Sequence, residues 1–363
     1  MNIIYIFNFQ IYKNLTDIKT TGGIETVANH ISKELKNRGH NIWKTHEKKK
    51  PEWVKKGLVD IIIAPSFDPL TYLHILKFKK KFKNRAAVVI HGQTTIEDLA
   101  GNFLPNKPIF NKILKLWLRI IYGTAHLLIT PSEYSKKSIE NIQKSMTYPI
   151  YAVSSGIEIE KFKNKQEYKG NFRNYLYKKY EVPLNATIII NVGLSWKKKG
   201  VGTFSEIAKA FPKYYFIWVG PINKNPEIDE ALKLSNVIFT GFYEDIREPY
   251  YGADVFLSTS FVETLCLPLI EASLCKIPIV TRNLPAYDWL ENDQSCCKAD
   301  DTGDFIRGIE KMLSDSNFRT KITENAYKKA VKLHDSRNTV SKFELLFKHA
   351  LLIKKIRDRK RKK

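Results

Sequence analysis

The sequence predicts an α/β protein of two doubly wound, Rossmann-like halves, and three observations carry that prediction. Short β-branched runs alternate with helical spacings along the chain, which is the pattern of parallel strands joined by crossover helices. At 363 residues the chain is too long for one ordinary core and suits two domains of roughly 150 to 180 residues. A polar segment, Glu158 to Pro183, separates two similar sets of strand candidates. In the first half these are Ile3 to Phe7, Ile61 to Ala64, Ala87 to Ile90, Leu127 to Thr130 and Tyr151 to Val153. In the second they are Ile188 to Val192, Tyr215 to Val219, Val237 to Thr240, Val255 to Ser258 and Ile277 to Thr281. Ile24, Val27, Ala28, Ile31 and Leu35 have the spacing of an amphipathic helix, stopped by Gly39. A last helix is expected from about Thr339 to Arg357, followed by a basic tail. The resulting division is 1–157, 158–338 and 339–363.

Charge is distributed unevenly. The net charge is +23; residues 1–157 carry 24 Lys/Arg against 11 Asp/Glu (+13), residues 158–346 carry 27 against 25 (+2), and the last 17 carry 9 against 1 (+8). A cationic half beside a nearly neutral one points to an anionic partner for the first domain, an acidic membrane surface or nucleic acid; solvated lysine faces explain the lysine content but not the asymmetry. The four cysteines, Cys266, Cys275, Cys296 and Cys297, match no zinc-ligand spacing and suit a reduced, cytoplasmic chain, so no metal is expected. Met1 to Tyr12 lacks the basic start and cleavage site of a secretory leader and reads as a first strand. No uncharged run reaches the roughly 18 apolar residues of a membrane span, so membrane contact is expected to be peripheral.

Two glutamates give the sharpest chemical signal. In Phe261-Val262-Glu263-Thr264-Leu265-Cys266-Leu267-Pro268-Leu269-Ile270-Glu271, Pro268 suits the first turn of a helix. Glu263 then falls in the preceding loop and Glu271 about one turn inside. The mouth of such a strand-loop-helix unit is where open α/β sheets bind ligands, and free N–H groups there favour phosphate. Carboxylates accept hydrogen bonds from vicinal hydroxyls while the helix end receives a diphosphate, and a sugar nucleotide carries both groups.

Other loops fall at strand ends. Thr20-Thr21-Gly22-Gly23-Ile24-Glu25 lets backbone approach a phosphate or sugar closely, with Glu25 either a ligand or a first-turn carboxylate. Gly193 to Gly200 brackets Lys197, Lys198 and Lys199, point charges suited to a departing nucleoside diphosphate or simply a solvated basic turn. His91 follows Ala87-Val88-Val89-Ile90 and is read as facing a cleft rather than as a core histidine. From Lys107 to Tyr122 runs a cationic amphipathic helix, with Lys112, Lys115 and Arg119 on one face and Ile109, Ile113, Leu114, Trp117 and Ile121 on the other. Such a helix lies in a lipid interface or covers a core. Lys354 to Lys363 reads as a polybasic arm.

In order and spacing these motifs resemble the family 4 retaining glycosyltransferases of GT-B fold. The matching set is Gly22-Gly23 with Glu25, His91, Thr130-Pro131-Ser132-Glu133-Tyr134-Ser135, Ser155-Gly156-Ile157-Glu158, Val192-Gly193 with Lys199-Gly200, Phe239-Thr240-Gly241-Phe242, and the glutamate pair. The resemblance implies two Rossmann-like domains facing across a cleft, with a C-terminal helix crossing back. It implies that Glu271 binds ribose hydroxyls, Glu263 the donor sugar and Lys199 the diphosphate, with His91 and Gly22-Gly23 reaching in from the other domain. His91, Glu263 and Lys199 are the expected catalytic residues, and Gly193, Lys198 and Leu267 complete the expected donor site. Two positions depart from the family pattern: Leu194 stands where an arginine is usual and Cys266 where a glycine is usual. His91-Gly92-Gln93-Thr94-Thr95-Ile96-Glu97-Asp98, Val192-Gly193-Leu194, Trp218-Val219-Gly220 and Arg282-Asn283-Leu284-Pro285 are similar to bacterial diacylglycerol glucosyltransferases, in which leucine after Val-Gly is usual.

The expected activity is transfer of a hexose from a nucleotide sugar, taken as UDP-linked, with retention and without a cofactor. The favoured acceptor is a membrane lipid at an anionic surface, met through Lys112, Lys115, Trp117 and Arg119. A soluble glycan or protein acceptor, a silent sugar-nucleotide sensor and a nucleic-acid-binding protein are the alternatives, the last lacking groove-reading motifs.

Overall fold

A computed structural model describes residues 1–8, 23–65, 67–83, 85–100, 107–143, 148–163 and 166–360. The chain divides into two units, Met1–Ile157 with His334–Lys363, and Glu158–Leu333. Twelve strands form two wholly parallel sheets of six among the described residues.

In the first unit β1 (Asn2–Tyr5), β2 (Asn41–Lys44), β3 (Ile61–Ala64), β4 (Ala87–His91), β5 (Leu127–Thr130) and β6 (Ile150–Ala152) stand in the order β2-β1-β3-β4-β5-β6. Strands such as Ile61-Ile62-Ile63-Ala64 are apolar on both faces because helices cover both sides of the sheet. The helix Gly23–Asn37 buries Val27, Ala28, Ile31 and Leu35 and ends before Gly39, whose φ of 83° takes the left-handed turn. Short side-chain caps start two other crossover helices: Asp68 accepts from Thr71 N before Pro69–Lys81, and Ser132 from Ser135 N before Glu133–Ile142.

The final helix, Ser336–Lys360, packs on β4, β5 and the helix Gly23–Asn37. Its face Thr339, Val340, Phe343, Leu346, Phe347 and Ala350 is buried. Gly156, at φ 71°, lets the chain pass Thr339 so closely that a Cβ there would stand 2.8 Å from the Thr339 hydroxyl. At the other flank Arg38 donates to Glu344 at 3.1 Å and to the Arg337 carbonyl at 2.7 Å. The sequence-based boundary at 339 is therefore late, since the chain rejoins the first unit at His334 and its last helix starts at Ser336.

The second unit holds β7 (Ile188–Val192), β8 (Tyr215–Val219), β9 (Val237–Gly241), β10 (Val255–Ser258), β11 (Ile279–Arg282) and β12 (Cys297–Ala299) in the order β12-β11-β10-β7-β8-β9. From β7 the chain winds out through β8 and β9, then returns to lay β10, β11 and β12 on β7's other side. Phe204, Phe216, Trp218, Phe305 and Met312 fill one of its cores. Each such side chain contributes about 1.5–3 kcal/mol by leaving water. β11 starts two residues later than its apolar run because Pro278 has no N–H to give the ladder; its carbonyl accepts from Phe256 N at 2.8 Å. The short strands β2 and β12 were not among the sequence-based candidates.

Phe343, fully buried, sets its ring edge-on to His91 at 5.2 Å and to Phe347 at 6.0 Å. Phe343→Ala is expected to cost the first unit about 3–5 kcal/mol. Leu345→Ala, at an exposed position of the same helix, should stay within about 0.5 kcal/mol. Denaturant-dependent hydrogen exchange of β4 and β5 measures both, and equal losses would contradict this packing.

Candidate functional site

In the second unit, β7 and β10 are neighbours from which the chain departs in opposite directions, a topological switch point of the kind that opens a crevice beyond the strand ends. Two loops rise there: Gly193–Gly200 after β7 and Thr259–Cys266 after β10. They are interlocked. Thr259 Oγ1 donates to the carbonyls of Lys199 and Gly200, both at 2.9 Å, and Phe261 N donates to Lys198 O at 2.8 Å. Gly200 sits at φ 76°, and a Cβ on it would fall 2.2 Å from the Thr259 carbonyl oxygen. The first loop is shaped from its other side by β8. Trp218 Nε1 donates to Gly193 O at 2.9 Å, and a Cβ on Gly220 would meet that oxygen at 2.3 Å. The Trp218-Val219-Gly220 motif thus holds Gly193, whose own φ is 144°.

The loops bring opposite charges together. Lys199 Nζ pairs with Glu263 Oε1, and Ser260 Oγ donates to the same oxygen at 3.0 Å. Lys198 lies over the Trp196 ring, 5.2 Å from its centre. The helix Leu267–Leu274 begins with Pro268 in its first turn, as the sequence predicts, and carries Glu271 on the next. Glu271 Oε2 accepts from the Tyr250 hydroxyl at 2.7 Å. Burial pushes this carboxyl up to about 7, and the tyrosine bond offsets part of the rise. Cys266 takes φ 62° and ψ 84° at the helix start, a left-handed conformation that explains a glycine preference there. Its thiol is driven up to about 12, chiefly by burial, and stays protonated.

Gly193, Lys198, Lys199 and Glu263 therefore belong to the two interlocked loops of the second unit, and Leu267 and Glu271 to the helix that follows them. Gly22 lies outside the described residues; Gly23 opens the helix Gly23–Asn37 of the first unit. His91 ends β4, but its ring is wholly enclosed, beside Gln93 (3.3 Å) and Phe343. Burial lowers it to about 3, so the imidazole is neutral and no proton carrier near pH 7. The reading of His91 as cleft-facing gives way to a buried one: its strand is covered by the C-terminal helix, which the histidine's own neighbours did not reveal.

The helix Pro108–Tyr122 also departs from expectation. Leu114, Leu118, Ile121 and Tyr122 face the core, while Ile109, Ile113, Leu116 and Ile120 are exposed. The single apolar face read from sequence is two faces, because leucines and isoleucines occupy most of the circumference. Trp117 is held by its Nε1 donating to Phe67 O at 2.7 Å, and Arg119 by its Nε donating to Ile142 O at 2.6 Å; Lys112 is exposed and Lys115 half-buried. Sequence reasoning missed Tyr250, Ser260, Thr259 and the bracing Arg282. Of these only Arg282 stood in a motif, and none of the rest has a spacing signal.

A raised carboxyl value makes the folded state favour protonated Glu271. The associated stabilisation is complete below the ordinary carboxylate range and is lost as pH rises through about 7. Tyr250→Phe removes the bond that opposes the rise, so Glu271 should titrate above about 7 in that variant. A carboxyl-carbon NMR titration reads this directly; an unchanged or lower midpoint counts against the Tyr250–Glu271 contact.

Comparison with known proteins agrees with this geometry. Residues 173–329 match the family model for glycosyl transferases group 1. The chain is 33% identical over 257 residues to the processive diacylglycerol alpha-glucosyltransferase of Acholeplasma laidlawii, covering 69% of this chain and 75% of that protein. It is 34% identical over 113 residues to the alpha-galactosylglucosyldiacylglycerol synthase of Streptococcus pneumoniae, covering 28% of this chain and 30% of that one. Anabaena HepE, solved with UDP and glucose, superposes with a TM-score of 0.75 at 15% identity over 96% of this chain and all of HepE, which places the fold in the GT-B class. With a glucosyltransferase relative matched over three quarters of its length and the glutamate and lysine loops set at the sheet's switch point, the chain belongs to the group 1 glycosyl transferases.

Proposed function

We propose that the protein transfers a hexose from a UDP-linked donor to a membrane lipid of the diacylglycerol class, with retention at the anomeric carbon. The observation that carries the donor half is the pairing of Lys199 with Glu263 on interlocked loops, with Glu271 one turn inside the helix that follows. Glu271 accepts hydrogen bonds from the ribose hydroxyls. The diphosphate displaces Glu263 as the partner of Lys199, freeing that carboxylate to meet the sugar. Negative charge on the leaving diphosphate is then met by Lys199, so the proposed step uses no metal ion. Retention, by attack on the face the diphosphate leaves, rests on the family resemblance. The relatives from Acholeplasma laidlawii and Streptococcus pneumoniae, a diacylglycerol glucosyltransferase and a galactosylglucosyldiacylglycerol synthase, support a hexosyl donor and a diacylglycerol-type acceptor.

The acceptor half rests on the first unit's surface. Ile109, Ile113, Leu116 and Ile120 follow at i, i+4, i+7 and i+11 and are 62, 52, 57 and 42% exposed, beside exposed Lys107 and Lys112. The helix Pro69–Lys81 lies alongside, its Tyr72 edge-on to Trp117 at 5.5 Å, and exposes Leu70, Leu73 and Leu76. Apolar rows bordered by lysine suit the interface of an acidic bilayer. Among the described residues no helix is long and apolar enough to cross one.

Glu271→Ala removes hydrogen bonds to a charged acceptor, each worth about 1.5–3 kcal/mol, so UDP should bind at least tenfold more weakly by calorimetry. Lys199→Ala should cut turnover by about 10²–10³, and EDTA should leave the wild-type rate unchanged. Wild-type turnover in both variants sinks the donor-site reading. Because protonated Glu271 loses an acceptor, UDP affinity should fall as pH drops below about 7. On the acceptor side, Ile113→Glu with Leu116→Glu should abolish sedimentation with phosphatidylglycerol vesicles without lowering the melting temperature, and undiminished vesicle binding refutes the lipid-facing assignment.

A further inference from the structure

Arg282 ends β11 in the motif Arg282-Asn283-Leu284-Pro285, to which the donor chemistry above assigns no part. Its guanidinium is stacked on Phe261, 4.3 Å from the ring centre, with Phe305 at 5.4 Å on another side. Nε donates to the carbonyl of Thr259 and Nη2 to the hydroxyl of Thr203, both at 3.3 Å. Thr203 lies on the helix Val201–Ala210 that begins at Gly200. Thr259 is the residue that bonds Lys199 O and Gly200 O. One planar fork thus spans the start of the Glu263 loop and the helix that follows the lysine loop. Phe261 belongs to the same loop as Glu263, so the stacked ring adds a third attachment.

We propose that Arg282 is a positioning residue for the donor diphosphate. It acts through Thr259 to hold the Lys199 and Glu263 loops in register and does not touch the diphosphate itself. The inference rests on the donor reading above. A lysine cannot reproduce the arrangement, because a single ammonium has neither the flat face that stacks on Phe261 nor two donors set at a fixed angle. Burial lowers the Arg282 pKa from its ordinary value while leaving the group charged, in keeping with a cation committed to internal contacts.

The test is a double-mutant cycle read by UDP affinity in calorimetry, with melting temperatures confirming that each protein is folded. Arg282→Gln should weaken UDP binding about tenfold in the wild-type background and less than about twofold in Lys199→Ala, because the residue acts through the lysine loop. Arg282→Lys should lose nearly as much as Arg282→Gln. Thr203→Val, which removes only the Nη2 partner, should give a smaller loss in the same direction and serves if Arg282→Gln is too unstable to purify. Additive losses, or full affinity in Arg282→Lys, would mean that the charge contacts the nucleotide directly and would overturn the proposal. Should Lys199→Ala alone leave UDP affinity intact, the donor-site reading fails instead, and the cycle distinguishes the two failures.

Discussion

The approach of the Thr259 carbonyl to Gly200 is the constraint on which the candidate site depends. No side chain fits between the two loops there: a Cβ would be 2.2 Å from that oxygen, well inside contact distance. Because the strands beneath are paired at Val255↔Ile189 and Phe256↔Ile190, the loops leave the sheet side by side. Glycine at that one position lets them close on each other, and Thr259 Oγ1 then donates to the carbonyls of Lys199 and Gly200, the latter also accepting from Phe204 N. The meeting of Lys199 with Glu263 follows from this backbone contact. A side-chain attraction alone would be worth little if long side chains had to be ordered to achieve it. Here the turn has already ordered the backbone that carries them.

The two glutamates, eight residues apart, are placed in different electrostatic surroundings. Glu263 has a cation and a hydroxyl on the same oxygen. Glu271 has the phenol of Tyr250 as its side-chain partner among the described residues and is held near 7 by burial. In the proposed cycle the first must yield its lysine to a diphosphate, and the exchange is feasible because one anion replaces another, leaving no buried charge alone. The second must stay ionised while hydroxyls approach, and each hydroxyl donating to it favours the charged form. Binding a ribose is therefore coupled to losing a proton at Glu271 when the pH is near or below its own value.

Much of this was legible in the sequence. Strands β3, β5, β7, β8 and β10 match their apolar runs because parallel strands buried on both faces need continuous β-branched or aromatic stretches. The carboxylate pair was legible because Pro268 marks a helix start and so sorts the glutamates into loop and helix. What escaped was non-local. Asn41-Ile42-Trp43-Lys44 and Cys297-Lys298-Ala299 are strands only because an edge is there to receive them; neither run is long or apolar enough to stand out. Tyr250 and Arg282 reach the site across distances of 21 and 23 residues respectively, which no local period encodes. His91 was misjudged for the same reason, since Phe343 covers it from the far end of the chain.

The departures at Leu194 and Cys266 bear on how a site tolerates change. An arginine at 194 would add a further cation to the Gly193–Gly200 loop. In the proposed site, cationic charge then rests on Lys199 and on Lys198, braced over Trp196. That places more of the burden on the geometry of the lysine loop, and hence on Thr259 and the braces behind it. Cys266 costs about 1–2 kcal/mol of left-handed strain relative to glycine, yet its thiol is buried near Tyr287 and carries no charge. A glycine would relieve the strain but free the backbone three residues from Glu263. The cysteine exchanges conformational ease for a fixed approach to the helix, which suits the exchange of partners proposed for Glu263.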